Sequence, residues 1–315
     1  MTDRYKVLVT CPPMLRAIDE FRPLFDAKGI DLTPADVVQV LSEEELINLV
    51  PQFDGWIIGD DPATARVFEA ATAGRLKAAV KWGVGVDNVD FSACKRLGLP
   101  IINTPGMFGR EVADVAVSYV IALARQTFAI DRAVKSGGWI KPAGISLAGR
   151  TVALIGFGDI GRNTAKRLLA SEMKVIAYDP FYRAADGLEA VESAVWPDRV
   201  SEADFIVLTC ALTKENRHML NAEVLVKTKH GVRIVNVARG PLIDEAALAN
   251  ALESGQVHSA ALEVCEIEPL PEQSSLRNFG DRCLFGSHNS SNSIDAVRRT
   301  SHKAIELLFG FLNVK

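Results

Sequence analysis

The sequence predicts a doubly wound α/β protein in which one domain is inserted into another, discontinuous one. Three observations carry this reading. Short β-branched runs alternate with helical stretches along all 315 residues. Most of those runs are apolar on both faces, the pattern of parallel strands buried between layers of helices. A last helical stretch, 293–311, follows every strand-like run and is expected to cross back and complete the first half. The length suits two domains, each with its own core.

The strand-like runs, in order, are "KVLV" (6–9), "GWII" (55–58), "AAVK" (78–81), "PII" (100–102), "TVALI" (151–155), "KVIAY" (174–178), "FIVLT" (205–209), "RIVN" (233–236), "SAAL" (259–262) and "CLF" (283–285). Between them, Val112, Val115, Ala116, Tyr119, Val120 and Leu123 follow helical spacing within 111–125. Val117 and Ile121 make the opposite side of that helix apolar too. It is therefore expected to be buried all round, against a domain or a partner subunit. The discontinuous domain is placed at 1–103 and 289–315 and the inserted one at 104–288, with Asn103, Thr104 and Pro105 as hinge residues.

Composition excludes several classes of function. The net charge of -4, with no basic run, argues against a nucleic-acid binder. The most apolar run, "VAVSYVIALA" (115–124), is about half the length that spans a bilayer. The charged start "MTDRYKVLVT" does not look like a signal peptide. Cysteines 11, 94, 210, 265 and 283 are scattered and lack Cys-x-x-Cys spacing. Neither a disulfide framework nor a metal site is expected, and a reducing cytoplasm fits best.

The stretch "TVALIGFGDIGRNTAKRL" puts Gly156, Gly158 and Gly161 directly after a strand-like run and at the head of a helix. In that context the glycines read as a dinucleotide turn of the Rossmann type. The first allows the tight turn, the second lets the backbone approach a pyrophosphate, and the third lets helix and strand pack closely. Asp159 and Ile160 lie at the helix N-terminus, which faces the anion. The next strand-like run ends in Asp179. A carboxylate there accepts from ribose hydroxyls and repels a 2′-phosphate, so NAD is the expected cofactor, with nearby Arg183 weakening the preference slightly.

Four further segments complete a pattern. "WGVGVDNVDFSACKRLGLPIINTPG" (82–106), "VNVARGPLIDEAALANAL" (235–252), "ALEVCEIEPLP" (261–271) and "GSHNSSNS" (286–293) occur in this order around the glycine turn. Together they resemble the D-isomer specific 2-hydroxyacid dehydrogenase family, in its phosphoglycerate-dehydrogenase-like branch. The resemblance implies a Rossmann NAD-binding domain inserted into a flavodoxin-like substrate domain, and a homodimer that uses the 111–125 helix and the loop around Trp139; a C-terminal regulatory domain of the kind some family members carry is not expected after the final helix.

Carried over by residue, the resemblance implies that Arg239, Glu268 and His288 form the catalytic set. The chemistry supports these types. Oxidising a 2-hydroxy acid removes a hydride from C2 and a proton from its oxygen. Imidazole titrates near neutral pH and can take that proton. A carboxylate bonded to it fixes the ring and favours the protonated form. An arginine grips a substrate carboxylate in bidentate fashion. Cys210, Val237, Ala238, Glu263 and Ser290, with Arg239 and His288, are implied on the cofactor side. Lys81, Val84 and Gly85, again with Arg239 and His288, are implied on the substrate side. His218, His230, His258 and His302 match no catalytic motif.

The sequence departs from the family pattern in places. Glu263 stands where the family usually has Asp, and Cys265 where it usually has an aromatic residue. Asn289, Ser290 and Ser291 replace small apolar residues after His288. At the positions that would hold a substrate phosphate, Lys81 is present, but Asp60 and Asp61 follow Gly59. The expected substrate is therefore polar and unphosphorylated. The alternatives are phosphoglycerate dehydrogenase proper and a non-catalytic NAD-sensing scaffold; formate dehydrogenase, which has Gln at the position of Glu268, fits less well.

Overall fold

In the computed structural model, which describes residues 4–314, the chain forms two compact units. One runs to Phe108 and resumes at Asn292; the other is Gly109–Ser291. The boundaries expected from the sequence, 103/104 and 288/289, lie a few residues before these divisions.

The first unit contains β1 (Lys6–Val9), α1 (Pro12–Leu15), α2 (Ile18–Asp26), β2 (Asp31–Pro34), α3 (Glu43–Leu49), β3 (Gly55–Ile58), α4 (Ala65–Ala73), β4 (Ala78–Lys81), α5 (Phe91–Leu97) and β5 (Ile101–Asn103). The strands form one five-stranded parallel sheet in the order β2-β1-β3-β4-β5, the flavodoxin-like order. Its helices begin where side chains satisfy open backbone N–H groups. Ser42 and Glu45 form a reciprocal capping box on α3, and Thr64 and Asp90 cap α4 and α5. Gly98, at φ 66°, ends α5 in the left-handed conformation that favours glycine. Trp56 is fully buried, and its indole N–H donates to Thr10 Oγ1 at 3.0 Å.

The second unit contains α6 (Gly109–Arg125), α7 (Thr127–Lys135), β6 (Thr151–Ile155), α8 (Asp159–Ala170), β7 (Lys174–Tyr178), β8 (Glu192–Ser193), β9 (Phe205–Leu208), α9 (Ala222–Leu225), β10 (Val232–Asn236), α10 (Glu245–Glu253), β11 (Val257–Leu262) and β12 (Cys283–Phe285). All seven strands are parallel, in the order β12-β11-β10-β9-β6-β7-β8. The order reverses at β6, the switch point at which doubly wound sheets hold their ligands. The chain then returns as α11 (Ile294–Phe311), which packs on β3 and β4 in the first unit. There Phe309 meets Phe25 edge-on at 5.3 Å, and the bare Cα of Gly55 leaves room for Leu308.

Two strands carry no apolar run and go unmarked in the sequence. They are β2, "DLTP", and β8, "ES", each at a sheet edge and paired on one side only. Within the single chain, helix α6 buries one face only. Val112, Ala116, Tyr119, Val120 and Leu123 are buried, whereas Ile121 stays 40% exposed and Asp114 and Ser118 share its open face. Among the described residues no single helix is long and apolar enough to cross a membrane.

Candidate active site

Parallel pairing in the second unit sets one row of residues side by side. Tyr178, Ile155, Leu208, Asn236, Leu262 and Phe285 are partners in register across β7, β6, β9, β10, β11 and β12. The next residue on each strand leaves the sheet at the same edge. Those residues are Asp179, Gly156, Thr209, Val237, Glu263 and Gly286. The cofactor-side candidates and the whole catalytic set lie on these strand ends, in the loops that follow or in the first turn of α8.

The glycine turn has the geometry that a dinucleotide requires. Gly156 has φ 96°, and a Cβ there would lie 2.6 Å from the Cys210 backbone nitrogen. A Cβ on Gly161 would overlap the carbonyl oxygen of Gly156, so the helix can sit this close only without a side chain. A Cβ on Gly158 would meet nothing within 4 Å. The open side of the turn is therefore a cradle that the pyrophosphate of NAD fits, at the N-terminus of α8. The Asp159 carboxylate turns towards the N-terminus of α6, where a side chain on Gly109 would collide with it. Asp179 accepts from the Phe157 N–H at 2.6 Å and the Phe181 N–H at 2.8 Å, which holds its carboxylate over the turn. Ile160 lies half-buried behind Asp159.

The catalytic candidates come together in the same unit. His288 Nδ1 and Glu268 Oε2 are 2.8 Å apart, and Glu268 Oε1 accepts from the Cys265 N–H at 3.0 Å. Burial pushes the Glu268 carboxyl up. The hydrogen bond and charge of His288, the Cys265 N–H and the charge of Arg239 together outweigh it, so Glu268 titrates below its ordinary value. Arg239 is held through its backbone. Asn236 Nδ2 donates to its carbonyl at 2.9 Å, while Asn236 Oδ1 accepts from Ala238 N–H at 3.0 Å. Gly240 has no side chain, so the arginine segment lies directly on the Cys265 backbone. Val237 and Ala238 are buried beside it, and Ser290 is half-buried after His288. The Cys210 thiol is pushed up to about 11 by burial, so it is an inert thiol and not a nucleophile.

Glu263, expected on the cofactor side, has both carboxylate oxygens engaged by protein donors. It is buried, its Oε2 accepts from the Tyr119 hydroxyl at 2.6 Å, and its Oε1 accepts from the Asn289 N–H. Sequence reasoning placed Tyr119 only in an apolar stripe. The available signal was a lone phenol among aliphatic residues, since a buried Tyr hydroxyl needs a partner. Lys81, expected on the substrate side, is engaged by protein acceptors. Its side chain is 3% exposed, and its ammonium donates to the Gly59 carbonyl at 2.7 Å, Asp60 Oδ1 at 3.0 Å and the Trp82 carbonyl at 3.1 Å. Asp61 is buried and accepts from Thr10, Leu41 and Gly59, so it anchors its own loop. In the segment after β4, Val84 is exposed and Gly85 half-buried. Of the other histidines, His218 pairs with Glu266 at 3.1 Å and His302 packs edge-on against Phe21. No group of three or more His, Cys, Asp or Glu that could hold a metal ion occurs among the described residues.

Two outcomes follow from this geometry. Gly161→Ala should destabilise the fold by about 1–3 kcal/mol, because its methyl meets backbone atoms. Gly158→Ala should leave the melting temperature near that of the wild type and weaken NAD binding roughly tenfold, since only a ligand contests that space. Calorimetry with NAD titration separates the two. The pairing of Glu268 adds stability that is complete above the ordinary carboxyl value of 4.5 and is lost as pH falls below it, through the lower folded-state value. The gap in melting temperature between wild type and Glu268→Gln should therefore hold at neutral pH and close on acidification below about 4.5.

Residues 117–290 match the family described as "D-isomer specific 2-hydroxyacid dehydrogenase, NAD binding domain". The chain is 37% identical to the hydroxypyruvate reductase of Thermotoga maritima, over 87% of this chain and 90% of that one. It is 37% identical to the D-3-phosphoglycerate dehydrogenase of Archaeoglobus fulgidus over 84% of its length, but spans only 49% of that protein. The crystal structure of the TT0316 protein from Thermus thermophilus superposes with a TM-score of 0.86 at 30% identity, covering 98% of this chain and 97% of that one. The chain belongs to the D-isomer specific 2-hydroxyacid dehydrogenase family of NAD-dependent oxidoreductases.

Proposed function

We propose that the protein interconverts small, polar, unphosphorylated D-2-hydroxy acids and their 2-keto acids, with hydroxypyruvate as the type of substrate. The observation that carries the reaction is the 2.8 Å contact of His288 Nδ1 with Glu268 within electrostatic reach of Arg239. NAD, when bound, accepts the hydride of C2 or returns it. The chain's residues do the rest. His288 takes the hydroxyl proton of the substrate at Nε2 during oxidation and gives it back during reduction. Glu268, ionised, fixes the ring through Nδ1 and stabilises the imidazolium that forms. Arg239 binds the substrate carboxylate and polarises the oxygen on C2. Val84 and Gly85 are assigned to the carboxylate through backbone N–H groups. Gly156, Gly158, Asp159, Ile160, Gly161, Asp179, Cys210, Val237, Ala238 and Ser290 are assigned to the cofactor.

Lys81 supports the choice of an unphosphorylated substrate. An ammonium has three donors, and Gly59, Asp60 and Trp82 engage it with three contacts. A phosphate could claim this group only by breaking those bonds, next to the half-exposed Asp60 carboxylate. The near full-length similarity to a hydroxypyruvate reductase points the same way.

The test is NADH oxidation by purified enzyme across hydroxypyruvate, glyoxylate, pyruvate and 3-phosphohydroxypyruvate. We expect kcat/KM for hydroxypyruvate to exceed that for the phosphorylated acid by about 100-fold or more, the worth of roughly 2.7 kcal/mol. The reverse order would establish phosphoglycerate dehydrogenase proper. Silence towards all four with NADH still bound would favour a sensing scaffold.

The dimer is assigned to the second unit, where Ile121, Phe128, Trp139 and Ile140 expose apolar surface on α6, α7 and the segment after them. Sedimentation should give about twice the 34.1 kDa chain mass, and Trp139→Asp should shift the protein towards monomer. The five cysteines are free, which suits a cytoplasmic site of action.

A further inference from the structure

We infer that Glu263 and Tyr119 form a buried clasp that positions His288, so that both are positioning residues for the proton transfer and not contacts to the cofactor. The inference rests on the reading of His288 as acid/base. It starts from the backbone of that residue. His288 has φ 54°, in the left-handed region that costs a non-glycine residue about 1–2 kcal/mol. Such a conformation persists only where its surroundings enforce it. Here one residue does most of the enforcing. The carbonyl of Glu263 accepts from the His288 N–H at 2.9 Å, and its carboxylate accepts from the next amide, that of Asn289. Two consecutive N–H groups of the catalytic loop thus hang on one residue at the end of β11.

The carboxylate is itself fixed from the other side. The Tyr119 hydroxyl on α6 donates to Glu263 Oε2 at 2.6 Å, and both side chains are buried. The bond pushes the Tyr119 phenol up, after burial as the larger cause, so the hydroxyl remains a donor throughout the working pH range. Gly286 completes the arrangement. A Cβ there would fall on the Glu263 carboxylate and within 2.7 Å of the Tyr119 hydroxyl oxygen. The length of Glu is also required. An Asp would fall one methylene short of holding Tyr119 and the Asn289 amide at once. The imidazole is therefore fixed twice, through its ring by Glu268 and through its backbone by Glu263.

The test uses the full-length enzyme with its best 2-keto acid and NADH, comparing Tyr119→Phe, Glu263→Ala, Glu263→Asp, Glu263→Gln and His288→Gln. The clasp predicts that Tyr119→Phe lowers kcat about 5–20-fold while the Kd for NADH changes less than about twofold. Hydrogen exchange of the 286–293 peptide should accelerate in the same variant. Glu263→Ala and Glu263→Asp should lose more. Glu263→Gln should recover most of what Glu263→Ala loses, because its amide oxygen still takes the Asn289 N–H and its NH2 can donate to the phenol oxygen.

The inference is overturned if Tyr119→Phe keeps wild-type kcat while His288→Gln is inactive. It is equally overturned if the Glu263 variants weaken NADH binding in step with kcat, which would make Glu263 a cofactor contact. Turnover retained by His288→Gln would instead show that the acid/base assignment is wrong, and the clasp falls with it.

Discussion

The site depends on the parallel register of the second sheet. Because all strands run the same way, the row Tyr178, Ile155, Leu208, Asn236, Leu262 and Phe285 turns every carboxyl end to one edge. Residues more than a hundred positions apart, such as Gly156 and Gly286, become the first residues past that row. The row is secured by the buried strands beneath it; Leu154, Leu208, Ile234 and Ala260 are wholly inaccessible. A slip of one residue in any strand would turn its apolar side chains out of the core and carry its functional residue to the wrong face. The hydrophobic interior therefore sets the chemistry's geometry, although no apolar side chain takes part in the reaction.

Most of this frame was legible in the sequence because it is written in runs. A strand buried on both faces needs consecutive apolar residues, and "KVLV", "GWII", "TVALI" and "KVIAY" mark their strands to the residue. The edge strands β2 and β8 have solvent on one side and need no such run, so "DLTP" and "ES" carry no signal. The glycine turn was legible for a related reason. Gly156 and Gly161 sit where any side chain would overlap backbone, a local demand that leaves a local mark.

What was not legible are partnerships across the sequence. Lys81 reads as an available cation beside two acids. Only the fold shows that Gly59, Asp60 and Trp82 engage its ammonium. Tyr119 reads as one more apolar position on a helix, and nothing near it in the chain announces a carboxylate. Glu263 reads as a lengthened cofactor contact because its partners, Tyr119 and the Asn289 amide, come from opposite directions in the sequence.

The stretch from Glu263 to Glu268 then acquires a single physical meaning. Its first acid holds the backbone on either side of the His288–Asn289 peptide bond; its last acid holds the His288 ring. The Cys265 N–H donates to Glu268, so the two acids are tied through the segment between them. A buried carboxylate is costly unless it is hydrogen-bonded, and the buried Glu263 is bonded by Tyr119 and by the Asn289 amide next to His288, while the partly exposed Glu268 is bonded by the imidazole itself. The Asn289 amide that helps make the buried Glu263 carboxylate tolerable adjoins the residue held in an unfavourable backbone conformation, His288. The contacts that satisfy Glu263 and Glu268 are thus the contacts that reach the backbone and the ring of His288.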